Sequence, residues 1–401
     1  MHRPELLAPA GNFEKMKSAL RFGADAVFLA GEKFGMRAAA DNFSLSELTE
    51  AVKFAHVLGK KVYMTLNVMP REDQMHELVA YLASLHELRP DALIVADFGV
   101  FSLCQKMLPE IPIHISTQAA TVNSYSCNKW YEMGAKRIVL ARELSLKEIE
   151  LIRKNIPEDL ELEVFVHGSM CVSFSGRCML SEYYTGRDAN RGACTQPCRW
   201  QYRFYEEKRP EDILTCEIHP EGSYLFGSKD LCMIEHLQDL IDCGVNCLKI
   251  EGRMKSAYYC AVVTNAYRIA LDNPDFSRED LKRELESVSH REYCTGYFYD
   301  PETLHSNFAP TNGYIGEASY LCAVESFDKE SGWAKCIQKN KFAKGDRCEF
   351  LTKGQCGKPI EILDMQDENR NSIENCPHPQ MTFYIRTNQK LNPGDLLRKR
   401  K

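Results

Sequence analysis

No stretch of this chain approaches the roughly 18 consecutive apolar residues that a membrane-spanning helix needs, so a transmembrane protein is not expected. The first residues, Met1-His2-Arg3-Pro4-Glu5, run straight into a strand-like apolar segment. They lack the basic-then-apolar pattern of a secretion signal, and a cytoplasmic location is the expectation. No excess of positive charge is present: Lys and Arg number 50 against 56 Asp and Glu, a net charge of −6. Global charge therefore does not advertise nucleic-acid binding. A local basic face stays open, because phosphate contacts depend on where the charges sit. The terminal Arg398-Lys399-Arg400-Lys401 cluster reads as a solvated end. No G-x-G-x-x-G follows the first strand, which counts against a dinucleotide-binding sheet. No H-E-x-x-H zinc site and no serine or cysteine triad can be read from the sequence either.

Cysteine is what the chain has in excess, with 17 residues, an odd count. A reducing compartment argues against a disulfide framework. Cys104, Cys127, Cys243, Cys247 and Cys260 stand in apolar or helical settings and read as small buried hydrophobes.

The first 170 residues repeat one theme: a short apolar strand, a polar tip, then an amphipathic helix. Strands are predicted over 5–8, 26–30, 61–66, 92–96, 113–117, 137–140 and 162–166. Helices with i, i+3, i+4 apolar spacing fall over 13–22, 45–58, 74–88 and 146–154. Strands alternating with helices across short loops imply parallel pairing. The number of units favours a TIM-like (β/α) barrel over an open doubly wound sheet. The pattern breaks near 168, where a cysteine-rich insertion extends to about 220 and holds a hairpin over 200–205 and 213–218. It resumes with a strand over 224–227, a helix over 231–243 and a strand over 247–250, giving nine strand candidates for eight barrel places. The division is a barrel over 1–255, a helical extension over 256–311, and a small β-barrel domain over 312–401.

Polar residues stand at the strand ends: Asn12, Asn67, Asp97, Gln118, Arg142, Glu143, His167 and Ser169. In a barrel this end is the mouth that carries the site. Each residue alone is also a plausible cap or turn residue, and His167 equally a satisfied barrel histidine.

The insertion reads His167-Gly168-Ser169-Met170-Cys171, Ser175-Gly176-Arg177-Cys178 and Arg191-Gly192-Ala193-Cys194-Thr195-Gln196-Pro197-Cys198, a C-x6-C-x15-C-x3-C spacing. Thiolates are soft ligands, and four of them suit zinc or an iron–sulfur cluster. Short zinc knuckles use closer pairs, so the spacing favours a cluster. Cys171, Cys178 and Cys194 are three ligands. Cys232, placed at the start of a helix where a thiolate is favoured, is preferred as the fourth, with Cys198 as the alternative.

The stretch Glu163-Val164-Phe165-Val166-His167-Gly168-Ser169-Met170-Cys171, with Ser175-Gly176-Arg177-Cys178, resembles the signature of the collagenase-like peptidases of family U-thirty-two. Glu5-Leu6-Leu7-Ala8-Pro9-Ala10-Gly11, Asp188-Ala189-Asn190-Arg191-Gly192, Ser228-Lys229-Asp230-Leu231 and Lys249-Ile250-Glu251-Gly252-Arg253-Met254-Lys255-Ser256 are similar to further family motifs. The resemblance implies either the peptidase activity of the family label or the hydroxylation chemistry of members carrying a 4Fe-4S cluster. The chain looks most like the branch that converts the wobble uridine of tRNA to 5-hydroxyuridine, requires prephenate and does not require dioxygen. A related branch uses a cysteine corresponding to Cys232 as a ligand, and the presence of Cys198 leaves that choice open. The implied partner is a tRNA anticodon loop; a non-catalytic subunit paired with a paralogue is a further class. On this reading Asn67, Gln118, His167 and Glu251 orient the base or prephenate, while Arg37, Arg142 and Arg253 meet carboxylates or phosphates.

Overall fold

A computed structural model describes residues 3–36, 41–171, 173–200, 228–299, 314–378 and 380–400. Eight parallel strands close a barrel: β1 (Glu5–Pro9), β2 (Ala26–Leu29), β3 (Lys61–Leu66), β4 (Ala92–Val95), β5 (Ile113–Ile115), β6 (Arg137–Val139), β7 (Glu161–Ser169) and, beyond a short β8 (Asp230–Cys232), β9 (Cys247–Ile250). Neighbours pair in chain order, and β9 lies between β7 and β1, which shuts the ring. Helices α1 (Phe13–Arg21), α2 (Leu45–Val57), α3 (Glu72–Leu85), α4 (Phe98–Met107), α5 (Ser124–Glu132) and α6 (Leu146–Lys154) follow the first six strands. Side-chain caps mark their starts. Asn12 and Asp97 accept hydrogen bonds from Lys15 N and Val100 N, and Ser44 and Ser145 form capping boxes with Glu47 and Glu148. Two of the polar strand-end residues, Asn12 and Asp97, are therefore caps.

The cysteine segment carries one short helix, α7 (Leu180–Thr185). The hairpin read at 200–205 and 213–218, apart from Trp200, and the strand at 224–227 lie outside the described residues. The helix expected over 231–243 is shorter. Its first residues form β8, and α8 (Leu237–Asp242) follows. The reason is that β7 overruns the barrel, and its free edge takes β8 antiparallel, with His167 opposite Cys232 and Ser169 opposite Asp230.

Two long helices complete the barrel unit, α9 (Ala257–Asp272) and α10 (Arg278–Glu286), and β10 (Tyr293–Cys294) extends β8. Every residue of α9 from Tyr258 to Ala270 is buried. An amphipathic helix buried all round needs a second covering layer, and the C-terminal domain supplies it.

That domain is a seven-stranded antiparallel sheet built from β11 (Ala318–Phe327), β12 (Trp333–Gln338), β14 (Cys348–Leu351), β15 (Lys358–Ile360), β16 (Asp364–Asp367), β18 (Thr382–Arg386) and β19 (Leu396–Arg400). A two-stranded ribbon of β13 (Phe342–Ala343) and β17 (Asn375–Cys376) lies beside it. Alternating residues such as Leu321, Cys336, Phe383 and Ile385 form its own apolar core. The basic tail is not a solvated end. Arg398 is fully buried and binds Glu284 (2.5 Å), Glu349 (2.8 Å) and Ser287 (3.0 Å), joining the sheet to α10. Lys401 lies outside the described residues.

No helix among the described residues is long and apolar enough to cross a membrane.

Candidate active site

Inside the barrel, Leu7, Ala26, Phe28, Tyr63, Ala92, Ile94 and Cys247 form an apolar plug. Through it runs a buried charge chain. Arg137 binds Glu5 (2.8 Å), Glu161 (2.6 Å) and Glu163 (3.3 Å), and Glu163 binds Lys249 (2.8 Å). Burial alone would raise the Glu5 carboxyl, but Arg137 and Lys61 outweigh it and hold Glu5 below the usual carboxylate range. The chain ends at Lys249, which forms part of the floor of a cavity of about 410 Å³ at the C-terminal mouth.

The cavity wall has two characters. Among the described lining residues, Arg142, Arg199, Lys249, Arg253 and Lys255 bring positive charge, against the single carboxylate of Glu251. Gln118 and Asn67 add polar groups. Gln118 Oε1 accepts from Asn67 Nδ2 (2.7 Å) and Ser116 Oγ (3.1 Å), and Asn67 Oδ1 accepts from Met36 N (3.2 Å). This arrangement commits the carbonyl end of Gln118 and leaves its amide Nε2 as a donor for a ligand. Arg253 Nη1 donates to Thr65 Oγ1 (3.1 Å), and Arg142 Nη1 to Ser169 O (3.3 Å).

The same cavity carries sulfur. Cys171, Cys178, Cys194 and Cys198 all line the same cavity. Tight turns present them, with positive φ at Ser175 (46°), Gly176 (85°), Gly192 (89°) and Gln196 (58°). A Cβ on Gly192 would stand 2.7 Å from Gly35 O, so glycine is required there. Glu143 pins the first turn, accepting from Ser175 N and Ser175 Oγ, both at 2.6 Å. Asn190 grips Cys178 from both sides: its Oδ1 accepts from Cys178 N (3.2 Å) and its Nδ2 donates to Cys178 O (3.1 Å). Backbone amides point at two sulfurs, Leu180 N at Cys178 Sγ and Gln196 N at Cys194 Sγ, both at 3.4 Å. Amides aimed at sulfur stabilise thiolate, the form that binds metal. Burial, with the neighbouring Cys171, Cys194 and Cys178 adding to it, pushes the Cys198 thiol up to about 11.

Among the described residues no three His, Cys, Asp or Glu side chains converge as a single metal ion requires. An iron–sulfur cluster is larger, and each thiolate holds a different iron. Four soft donors around one cavity, two of them facing amides, fit such a group; Cys171, Cys178, Cys194 and Cys198 are the residues that would hold it.

Comparison with known proteins decides the family. Residues 11–307 match the model of peptidase family U32, and residues 317–398 match its C-terminal domain. The chain belongs to peptidase family U32. A tRNA hydroxylation protein P1 of Bacillus subtilis is 35% identical, covering 100% of this chain and 95% of its own length. A tRNA hydroxylation protein P of Helicobacter pylori is 43% identical, covering 74% of this chain and 72% of its own. A 23S rRNA 5-hydroxycytidine synthase of Escherichia coli is 38% identical, covering 75% of this chain and 43% of its own.

The U32 barrel brings some of the expected site residues together and separates others. Asn67, Gln118, Arg142, Glu251 and Arg253 line the cavity with Cys171, Cys178 and Cys194. Arg37 lies outside the described residues. His167 does not line the cavity. Strict alternation from Glu163 and Phe165 would aim it inward, but β7 carries a bulge between Phe165 and His167, which pairs His167 with Ile250 and turns it to the outer face. There it is buried among Tyr259, Tyr267 and Tyr293, with ring centroids 6.0, 5.4 and 5.3 Å away. Burial lowers its pKa to about 3, against the pull of Asp230, and keeps the ring neutral. Cys232, the preferred fourth ligand, also stands apart. It sits in a strand rather than at a helix start, it does not line the cavity, and burial raises its thiol to about 12. Cys198, the alternative, lines the cavity with Cys171, Cys178 and Cys194. Lys249 and Lys255 also line the cavity and are missed by the strand-end reading. A lysine inside the apolar strand Cys247–Ile250 was the available signal for the first.

Proposed function

We propose that this U32 chain hydroxylates a pyrimidine of tRNA, converting the wobble uridine to 5-hydroxyuridine, with prephenate as co-substrate and a 4Fe-4S cluster held by Cys171, Cys178, Cys194 and Cys198. The carrying observation is the mixed lining of one cavity, in which four thiols stand with five cations and the amides of Asn67 and Gln118. Homologues named for tRNA hydroxylation and for rRNA hydroxycytidine synthesis support the same chemistry.

When bound, the cluster supplies electron transfer, which side chains cannot. The protein's own groups bind and orient. The target base leaves its stack in an anticodon loop, where bases splay readily. Gln118 Nε2 donates to a uracil carbonyl, and the Glu251 carboxylate accepts from the imide N–H. Arg142, Arg253 and Lys255 hold the carboxylates of prephenate. Among the described residues that line the cavity there is no histidine to pair with a serine or cysteine.

The test is nucleoside mass spectrometry of tRNA from a strain lacking this gene and any redundant pathway. Loss of 5-hydroxyuridine derivatives, restored by the wild-type gene, supports the assignment. Unchanged nucleosides, with gelatin cleavage by the purified chain, would move it to the peptidase class. Restoration that depends on a paralogue, whatever cavity residue is altered, would make the chain a non-catalytic subunit.

A further inference from the structure

Beside the cavity, rings are displayed that the barrel does not need. Tyr183 is 81% exposed, Tyr184 43% and Trp200 42%. They form a cluster, with ring centroids of Tyr183 and Tyr184 5.1 Å apart and edge-to-face at 87°, and those of Tyr184 and Trp200 6.1 Å apart and tilted by 56°, so the rings present faces in different directions. The rings are anchored to the lining of the cavity. Leu180, at the start of α7, lines the cavity, as do Cys198 and Arg199, which immediately precede Trp200. The helix is fixed to the cysteine loop through Ser181 and Thr195, whose hydroxyls are 3.1 Å apart and whose Thr195 N donates to Ser181 Oγ at 3.1 Å.

Large exposed rings gathered in one place mark an interaction surface. The surrounding charge selects the partner. Arg177 and Arg187 are exposed and make no ion pair among the described residues, Arg177 donating through Nε to Gln118 O at 2.9 Å. The nearby acids are already engaged, Glu182 and Asp188 both pairing with Arg71, at 3.6 and 3.2 Å. Exposed aromatic rings with exposed guanidinium groups close by in the chain suit single-stranded nucleic acid, whose bases stack while its phosphates meet the cations.

We infer that Tyr183, Tyr184 and Trp200 form a stacking platform for the unpaired nucleotides that flank the target base in an RNA loop. Arg177 and Arg187 meet the phosphates of that segment. The platform rests on the RNA reading above and deepens it. It explains how a base held in a helical stack is kept splayed at the mouth: its neighbours stack on protein instead.

The test uses the full chain purified without oxygen, an anticodon stem-loop RNA, and the same RNA with the loop bases flanking the target uridine made abasic. Each ring removed, in Tyr183→Ala and Trp200→Ala, is expected to weaken binding of the intact stem-loop about tenfold. Tyr183→Phe and Trp200→Phe, which keep a ring, should bind nearly as wild type. On the abasic RNA the alanine penalty should vanish, because the stacking partner is already gone. An unchanged stem-loop affinity in the alanine variants, or a penalty that persists on the abasic RNA, overturns the platform while leaving the RNA reading intact. An altered oligomeric state with unchanged RNA affinity gives the rings to a second protein chain and also overturns it. Failure of the wild-type chain to bind the stem-loop overturns both.

Discussion

His167 and Cys232 face each other across the antiparallel pairing of β7 with β8, on the outer side of the barrel wall. Behind them Tyr267 ties the two strands together, donating to Val166 O (2.8 Å) and accepting from Met233 N (3.1 Å). The pair belongs to the packing that holds β8 against the barrel, not to the cavity.

Cysteine substitutions separate the two candidate ligands. Cys198→Ser should lower the iron and sulfide content of protein purified without oxygen, and Cys232→Ser should leave both near wild type. Metal and sulfide analysis of the two variants decides it. Loss from the Cys232 variant alone would reverse the assignment.

Stability should carry a histidine signature. Unfolded, the His167 ring titrates near its ordinary 6.5; folded, burial lowers it to about 3. The unfolded chain therefore binds more protons between those values, and stability falls as the pH drops below about 6.5. His167→Phe should flatten this slope in thermal melts above about pH 5, where carboxylates contribute little. An equal slope in both proteins would remove His167 from the account.

Below that range the barrel interior takes over. Glu5 is held low by Arg137 and Lys61 in spite of burial. Its contribution is present above its unfolded value and lost as the pH falls through the lower folded one. Glu5→Gln should shallow the acid limb. Arg137→Met, which leaves Lys61 as the cation on Glu5 and Lys249 as the cation on Glu163, should cost about 1–3 kcal/mol in denaturant unfolding.

The cysteine turns depend on Asn190. Asn190→Ala removes both hydrogen bonds to the Cys178 backbone, a cost of about 1–3 kcal/mol. The expected result is faster loss of iron in air than from wild type, measured by the decay of visible absorption. Equal decay would leave Asn190 without a role in holding that turn.

Much of this architecture is legible in the sequence, because period-2 and period-3.6 apolar spacing is local. The strands at 61–66 and 247–250 and the helix at 146–154 match their predicted bounds. What the pattern hides are non-local effects. The bulge after Phe165 is invisible in an unbroken apolar run, yet it removes His167 from the mouth. Residues 230–232 read as the lead-in to a helix, but the overrunning edge of β7 makes them a strand. Arg398 reads as solvent-exposed until Glu284, more than a hundred residues earlier, is folded against it. The cysteines at 171, 178 and 194 read as candidate ligands, since no apolar core explains cysteines among Gly and polar residues. That Cys198 and not Cys232 shares their cavity is visible only in three dimensions.

The most direct test of the central claim is the iron and acid-labile sulfide content of the wild-type chain, purified without oxygen. Four thiols sharing one cavity predict about four irons and four sulfides per chain. Zinc alone, or iron without sulfide, would contradict it.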